Sequence, residues 1–394
     1  MSHLMNTYVR QPVMFTHGEG VWLFDAEGNK YLDALAGVAV NGLGHAHPKL
    51  VQAISDQATK LIHVSNIYHI AEQEALADKL AEISGMDKVF FCNSGCEANE
   101  ASIKLARLYG HNKGIENPEI IVMERAFHGR TMATLSATGN RKAQAGFEPL
   151  VSGFIRVPYD DLAAVKQIAS RKNNVVAILV EPVQGEGGMH IPADMAAYLQ
   201  GLRSICDANG WLLMLDEVQS GIGRTGTWFA FQHTGIIPDV MSLAKGLGSG
   251  VPIGACVAKG AVAEVFTPGK HGSTFGGNPL AAIAGLATLK TIEEEKLREN
   301  ALKMGELICD GLRRALNGVA GVVALRNAGL MIGLELDRPC ADLVNIALAD
   351  KLLINVTAEK VVRLLPPLVI NEAEANQLAT RLGAIVKDFL QQKI

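Results

Sequence analysis

Long apolar runs, basic clusters and cysteine pairs are what this sequence lacks. No apolar run reaches transmembrane length, and the first residues lack the apolar core of a secretory signal. The formal net charge is −4, and the few aromatics (5%) are not interleaved with basic residues. Nothing therefore favours a nucleic-acid or membrane partner. The six cysteines are scattered, so we expect reduced thiols in a cytoplasmic protein and no disulfide framework.

The sequence is long and rich in apolar residues. Its 394 residues are 48% apolar and 19% charged, which is enough for a large core and more than one domain. Apolar strand-like runs alternate with helical stretches through the middle of the chain. This order predicts an α/β fold with a largely parallel, doubly wound sheet. A hairpin is expected around residues 27–29, and one long helix after Pro279 leads towards a smaller domain of short strands and helices.

The stretch from Trp211 to Gly250 carries the strongest chemical signal. An apolar run ends on Asp216, and a second one ends on Lys245 among glycines. Acids at the carboxyl ends of buried strands lie where open α/β sheets bind ligands. A buried lysine has a lowered pKa and can form a Schiff base. The pair predicts a pyridoxal phosphate site, in which the acid pairs with the ring nitrogen; a purely structural ion pair explains these two segments equally well.

A second candidate feature is the helix that begins near Ser94. Ser94 and Glu97 have the spacing of a capping box, and Gly95 gives the turn its freedom. Free N–H groups at a helix N-terminus bind phosphate readily. An ordinary capped helix would show the same pattern.

Further polar residues follow the other predicted strands. Phe127 could stack on a flat ring, and Arg130 could bind a carboxylate, although surface packing explains both. Glu186 lies in a glycine-rich loop. Arg363 lies between apolar residues, either paired with an acid or awaiting an anionic substrate.

Two other motifs are decoys. Residues 221–226 match GxGxxG, but no helix follows directly and no acid lies about 20 residues on, so a dinucleotide site is not favoured. His45 and His47 have no acid or cysteine at metal-ligand spacing, and we expect a loop bordering a pocket and no metal site.

Taken together, these segments resemble the class III pyridoxal phosphate aminotransferases of fold type I. The resemblance spans nearly the whole chain and rests on NSGCEAN, FHGRT, EPVQGEGG, LDEVQSGIGRTG, LAKG and HGSTFGGNP in this order. It implies a large cofactor-binding domain, residues 56–285, and a smaller α+β domain built from both termini, residues 1–55 and 286–394. An aminomutase or decarboxylase of the same fold, or a non-catalytic relative, is the rival interpretation.

The resemblance also implies roles for particular residues. Lys245 forms the Schiff base and moves the substrate proton, Asp216 pairs with the ring nitrogen, and Gln219 contacts the phenolic oxygen. The remaining cofactor contacts are Ser94, Gly95, Cys96, Phe127, His128, Val218 and Thr274.

For substrates, the resemblance implies an amine donor and 2-oxoglutarate. Arg130 binds the distal carboxylate of the donor, and Arg363 binds the α-carboxylate of glutamate. Glu186 pairs with Arg363 when glutamate is absent. Ser273 and Thr274 act across the interface of a homodimer.

Two departures affect these expectations. Cys96 occupies a position where the family more often has threonine or alanine, so a hydroxyl contact to phosphate is lost. Residues 39–41 lack the tyrosine of ornithine aminotransferases, which favours N2-acetylornithine as the donor. Succinyldiaminopimelate, ornithine and GABA are the alternative donors.

Overall fold

The computed structural model describes residues 3–391. Its strands are β1 (Phe15–Glu19), β2 (Trp22–Asp25), β3 (Lys30–Asp33), β4 (Lys88–Cys92), β5 (Glu119–Met123), β6 (Phe154–Val157), β7 (Val175–Val180), β8 (Leu212–Asp216), β9 (Val240–Leu243), β10 (Gly254–Ala258), β11 (Val322–Ala328), β12 (Met331–Leu336), β13 (Leu352–Leu353), β14 (Asn355–Thr357) and β15 (Val361–Leu364).

Helices cover both faces of the central sheet and much of the remaining surface. They are α1 (Ala36–Ala39), α2 (Pro48–Ala58), α3 (Ala71–Ser84), α4 (Gly95–Asn112), α5 (Met132–Ala137), α6 (Arg141–Gln144), α7 (Leu162–Ala169), α8 (Met195–Asn209), α9 (Pro279–Glu294), α10 (Leu297–Ala315), α11 (Leu343–Ala349) and α12 (Glu372–Gln391). Between residues 3 and 391, none of them is long and apolar enough to cross a membrane.

The central sheet has seven strands in the order β4-β10-β9-β8-β7-β5-β6. All neighbours are parallel except β10, which is antiparallel to both β4 and β9. Every residue of β7 and β8 is buried, because helices cover both faces. Alternate residues enter different cores: Leu213 belongs to one apolar cluster and Leu212 to the other. The predicted doubly wound α/β sheet is confirmed.

Two four-stranded sheets, β1-β2-β3-β13 and β11-β12-β15-β14, are built from the chain ends. In the first, β3 pairs in parallel with β13, so Leu32 lies opposite Leu352. Both termini therefore contribute to one smaller α+β unit, as the fold class predicted. The boundaries at residues 55 and 285 stay a prediction.

Most local predictions were correct. The hairpin around residues 27–29 joins β2 and β3, and helices begin at Pro48 and Glu372 as expected. The single long helix after Pro279 was wrong: Lys296 has a φ of +53°, which breaks the chain into α9 and α10. After the GxGxxG decoy, the aromatic segment forms a short 3₁₀ turn, Ala230–His233, and no strand.

Candidate active site

The carboxyl ends of β5, β7, β8 and β9 open onto one cavity of about 340 Å³ at the start of α4. This is the edge at which open α/β sheets bind ligands. Nine of the predicted site residues line the cavity: Ser94, Gly95, Cys96, Phe127, His128, Asp216, Val218, Gln219 and Lys245.

Asp216, the last residue of β8, is 5% exposed and held by three donors. Its Oδ2 accepts a hydrogen bond from Asn99 Nδ2 at 2.7 Å and lies 2.8 Å from His128 Nδ1. Its Oδ1 accepts one from the N–H of Val218 at 3.0 Å. Donors on a buried carboxylate stabilise its charged form. Asp216 is therefore a fixed negative charge at the cavity wall.

Lys245 lies just after β9 and adopts a φ of +43°, a left-handed backbone that is uncommon for a non-glycine residue. Burial lowers the pKa of Lys245 to about 8, and the positive charge of Arg363 acts in the same direction. The carboxylate of Asp216 opposes this shift only in part. A lysine with such a pKa has an appreciable neutral, nucleophilic fraction near pH 7.

The N-terminus of α4 presents free backbone N–H groups to the cavity. The Ser94 side chain caps the helix by accepting from the N–H of Glu97. The predicted capping box is only half formed, because the Glu97 carboxylate accepts from the N–H of Asn93 and not from that of Ser94. A Cβ on Gly95 would approach Val218 Cγ1 to 2.7 Å, so only glycine fits without displacing Val218.

Glu186 and Arg363 form an ion pair beside a second cavity of about 650 Å³, which shares Phe127 with the first. Arg363 Nη1 donates to Glu186 Oε2 at 2.9 Å, and Arg363 Nε donates to Asn355 Oδ1 at 2.9 Å. The Arg363 side chain is 2% exposed and that of Glu186 is 45% exposed. The buried arginine is thus covered by a partner that reaches solvent.

The other three predicted residues, Arg130, Ser273 and Thr274, line neither cavity. The Arg130 guanidinium lies 5.8 Å from the centre of the Phe127 ring and is exposed. Ser273 Oγ accepts from Nδ2 of Asn93, which lines the first cavity. Thr274 is exposed next to it.

Ten residues of the cavity wall are not among the predicted site residues, and Val40, Asn99 and Glu181 are three of them. Asn99 is a buried polar residue on α4, four residues after Gly95 and so on the same face of the helix, and this spacing could have revealed it. Val40 follows α1, whose Ala36, Val38 and Ala39 all have positive φ. Gly37 lies inside that turn, but no local pattern predicts positive φ at the three other residues. In the part of the chain that the structure describes, no group of three His, Cys, Asp or Glu side chains could hold a metal ion.

Similarity to known proteins extends over nearly the whole chain. The family model "Aminotransferase class-III" matches residues 4–386. Acetylornithine aminotransferase of Nitrosomonas europaea is 62% identical over 394 residues, covering all of both chains. Acetylornithine aminotransferase 1 of Bordetella bronchiseptica is 56% identical over 392 residues, covering 100% of this chain and 99% of that protein.

Solved structures lead to the same family. Acetylornithine aminotransferase from Elizabethkingia anophelis is 35% identical, with a TM-score of 0.87 over 98% of this chain and 97% of that one. Ornithine aminotransferase from Toxoplasma gondii, in a structure that reveals partial occupancy of PLP at the active site, is 33% identical. Its TM-score is 0.95 over 99% of this chain and 93% of that one.

Proposed function

This chain belongs to the class-III aminotransferases, and from that premise we propose that it transfers the terminal amino group of N2-acetylornithine to 2-oxoglutarate. The products are N-acetylglutamate 5-semialdehyde and glutamate, as in arginine biosynthesis. The observation that carries this proposal is that a nucleophilic lysine, Lys245, and a fixed carboxylate, Asp216, line one closed-in cavity. The six free thiols support a cytoplasmic location.

The cavity fits pyridoxal phosphate. Buried polar atoms on its wall lack a partner among the described residues, including Asn99 Oδ1 and His128 Nε2. Unpaired buried polar atoms of this kind indicate a missing polar ligand. When bound, the cofactor supplies an aldehyde carbon for amines and a ring that withdraws electrons from the substrate carbon.

Each chemical requirement of that cofactor is matched by residues of the chain. The N–H groups of Gly95 and Cys96 at the N-terminus of α4 would hold the phosphate. Asp216 would keep the ring nitrogen protonated, and Gln219 would contact the phenolic oxygen. Phe127 and Val218 would enclose the ring from its two faces, and this enclosure excludes water.

Lys245 has two tasks in this proposal. Its neutral Nζ would hold the cofactor between turnovers, and the displaced amine would then move a proton from the substrate carbon. Both tasks need an unprotonated amine near neutral pH, which the lowered pKa of Lys245 supplies.

The Glu186–Arg363 pair allows one site to accept two different substrates. Glutamate brings an α-carboxylate to the reacting carbon, which Arg363 would bind once Glu186 has moved aside. N2-acetylornithine brings only a terminal CH₂ there, so Arg363 needs its own counter-ion from Glu186. We assign the distal carboxylate of the donor to Arg130, which lies over Phe127 at the cavity mouth.

We also propose a homodimer. An apolar patch of exposed side chains lies on two segments, and its members are Leu61, Ile62, Ile67, Tyr68 and Phe275. Asn66 joins these segments by donating to the carbonyls of Ser273 and Gly276. Exposed patches of this kind mark protein interfaces. Covering the patch with a second copy would place Ser273 and Thr274 of one protomer at the site of the other.

A spectrum of the purified protein with candidate amines tests the function. We expect the yellow absorbance of the bound cofactor to disappear with N2-acetylornithine and to return with 2-oxoglutarate. Borohydride treatment and peptide mapping should place the mass of the cofactor on Lys245 and not on the half-buried Lys259. Bleaching by ornithine, GABA or succinyldiaminopimelate but not by N2-acetylornithine would overturn the donor and keep the class.

A further inference from the structure

Glu181 is a buried acid that lines the cavity and has no role in the proposed function. It follows β7, is 5% exposed, and lines the same cavity as Asp216 and Lys245. Its Oε1 accepts a hydrogen bond from the N–H of Phe127 at 2.9 Å, and its Oε2 accepts one from the N–H of Gly185 at 3.4 Å. One carboxyl group therefore joins the loop after β5 to the loop after β7.

The segment that carries Gln219 also lies against Gly185. Gln219 lies so close to Gly185 that a Cβ there would collide with Gln219 Oε1. That oxygen is buried and has no hydrogen-bond donor among the residues that the structure describes. Glu181 Oε2 and Gln219 Oε1 therefore both border Gly185, and a proton on Oε2 would supply the donor that Gln219 Oε1 lacks. The Gln219 amide would then direct its NH₂ group towards the cavity.

We propose that Glu181 is a positioning residue of the active site, whose carboxyl group fixes the loops of Phe127 and Gly185 and orients the amide of Gln219. It acts on the cofactor through Phe127 and Gln219 and touches neither substrate. Gly185 directly precedes Glu186, so the same contact also anchors the loop that carries the Arg363 counter-ion.

The electrostatics of the cavity support a protonated carboxyl group at this position. Burial raises the pKa of Glu181 to about 8, and the neighbouring charge of Asp216 acts in the same direction. Its backbone donors and Lys245 offset this only in part. Near neutral pH, Glu181 is therefore mainly neutral and can donate a hydrogen bond, which an ionised carboxylate cannot.

The chain provides a matched control in Glu217. It is also buried, at 1% exposure, and accepts from two backbone N–H groups, those of Ala230 and Phe231. Burial likewise raises the pKa of Glu217, to about 7. Glu217 does not line the cavity. Replacing it therefore tests the loss of a buried, hydrogen-bonded acid that has no contact with the cofactor site.

The experiment compares Glu181→Gln, Glu181→Leu and Glu217→Leu as purified holoenzymes and apoenzymes. We measure the melting temperature, the Kd for pyridoxal phosphate, the visible circular dichroism of the bound cofactor, and both half-reactions. Glu181→Leu should weaken cofactor binding about tenfold, the effect of losing one buried hydrogen bond, and change the dichroism. Glu181→Gln keeps a neutral donor and should stay within about threefold of the unmodified enzyme. Glu217→Leu should lower only the melting temperature.

Two results would overturn the assignment. Identical behaviour of Glu181→Leu and Glu217→Leu would mean that Glu181 only stabilises the fold. Equal damage from Glu181→Gln and Glu181→Leu would mean that it acts by charge. If Glu181→Leu does not fold, Glu181→Asp, which withdraws the carboxyl group by one methylene, should change the dichroism in the same direction. The inference rests on the proposed cofactor site, and failure of the unmodified protein to bind pyridoxal phosphate would instead reject that site.

Discussion

Removing the counter-ion of Arg363 is the sharpest perturbation of the two-substrate mechanism. In Glu186→Ala, the guanidinium of Arg363 keeps only its 2.9 Å contact with Asn355. When the donor amine is bound, a buried cation then faces a CH₂ group without a partner. When glutamate is bound, its α-carboxylate meets Arg363 with no competitor to displace. We therefore expect the variant to lose efficiency with N2-acetylornithine and to keep or gain it with glutamate.

The magnitude follows from the geometry of the pair. A hydrogen bond to a charged group contributes about 1.5–3 kcal/mol. Because the Glu186 side chain is 45% exposed, solvent screens the interaction and the lower end applies. About 1.5 kcal/mol corresponds to a shift of roughly tenfold in the ratio of the two kcat/KM values.

Single-turnover spectroscopy of each half-reaction measures that ratio directly. Glu359→Ala serves as the control, because Glu359 lies at the same second cavity but pairs with the exposed Lys142. The control should leave the ratio within about twofold of the unmodified enzyme. A ratio unchanged in Glu186→Ala, or shifted equally in both variants, would refute the role of the pair.

Three further predictions concern the cofactor site and its surroundings. Gly95→Ala should push Val218 out of place and raise the cofactor Kd about tenfold, measured by titration of the apoenzyme; an unchanged Kd would contradict the packing argument. The rate at which the apoenzyme captures pyridoxal phosphate should rise with pH to half its maximum near pH 8, because only neutral Lys245 reacts; a midpoint near 10.5 would reject the lowered pKa. The raised pKa of Glu217 means that the folded state holds its proton more tightly than the unfolded state, so this contribution to stability is complete below pH 4.5 and is lost as pH rises through about 7. Relative to the unmodified protein, the free energy of unfolding of Glu217→Gln, measured by thermal unfolding, should therefore rise by about 3 kcal/mol between pH 4 and pH 9. A difference between the two proteins that does not change with pH would refute this.

The central sheet and the main chemical groups could be predicted because their signals are local. Uninterrupted apolar runs such as Val175–Val180 identify strands that are covered on both faces. The acid and the lysine that end two of these runs lie at the same edge of a parallel sheet, so their meeting follows from strand direction. Ser94 and Gly95 identify the helix N-terminus from the turn chemistry alone.

Other features depend on contacts that no local pattern records. The break at Lys296 interrupts a stretch rich in residues that favour a helix, and Lys296 is itself one of them, so its left-handed backbone has no local signal. Glu181 has no signal in the sequence, because its role requires knowing that Phe127 and Gly185 donate to it. The left-handed turn before Val40 contains Gly37, but Ala36, Val38 and Ala39 adopt positive φ as well, at a cost of about 1–2 kcal/mol per residue, and no sequence rule anticipates that strain at non-glycine residues. These three features therefore depend on contacts between residues that are far apart in the sequence.

The parallel pairing of β3 with β13 has a consequence for synthesis of the chain. Leu32 leaves the ribosome about 320 residues before its neighbour Leu352. At ordinary elongation rates the hairpin waits roughly 15–60 s with one edge unpaired. An open strand edge invites other chains to pair with it. Slow translation or loss of the last 50 residues should therefore favour aggregates nucleated by the N-terminal hairpin, even though the cofactor-binding residues would all be present.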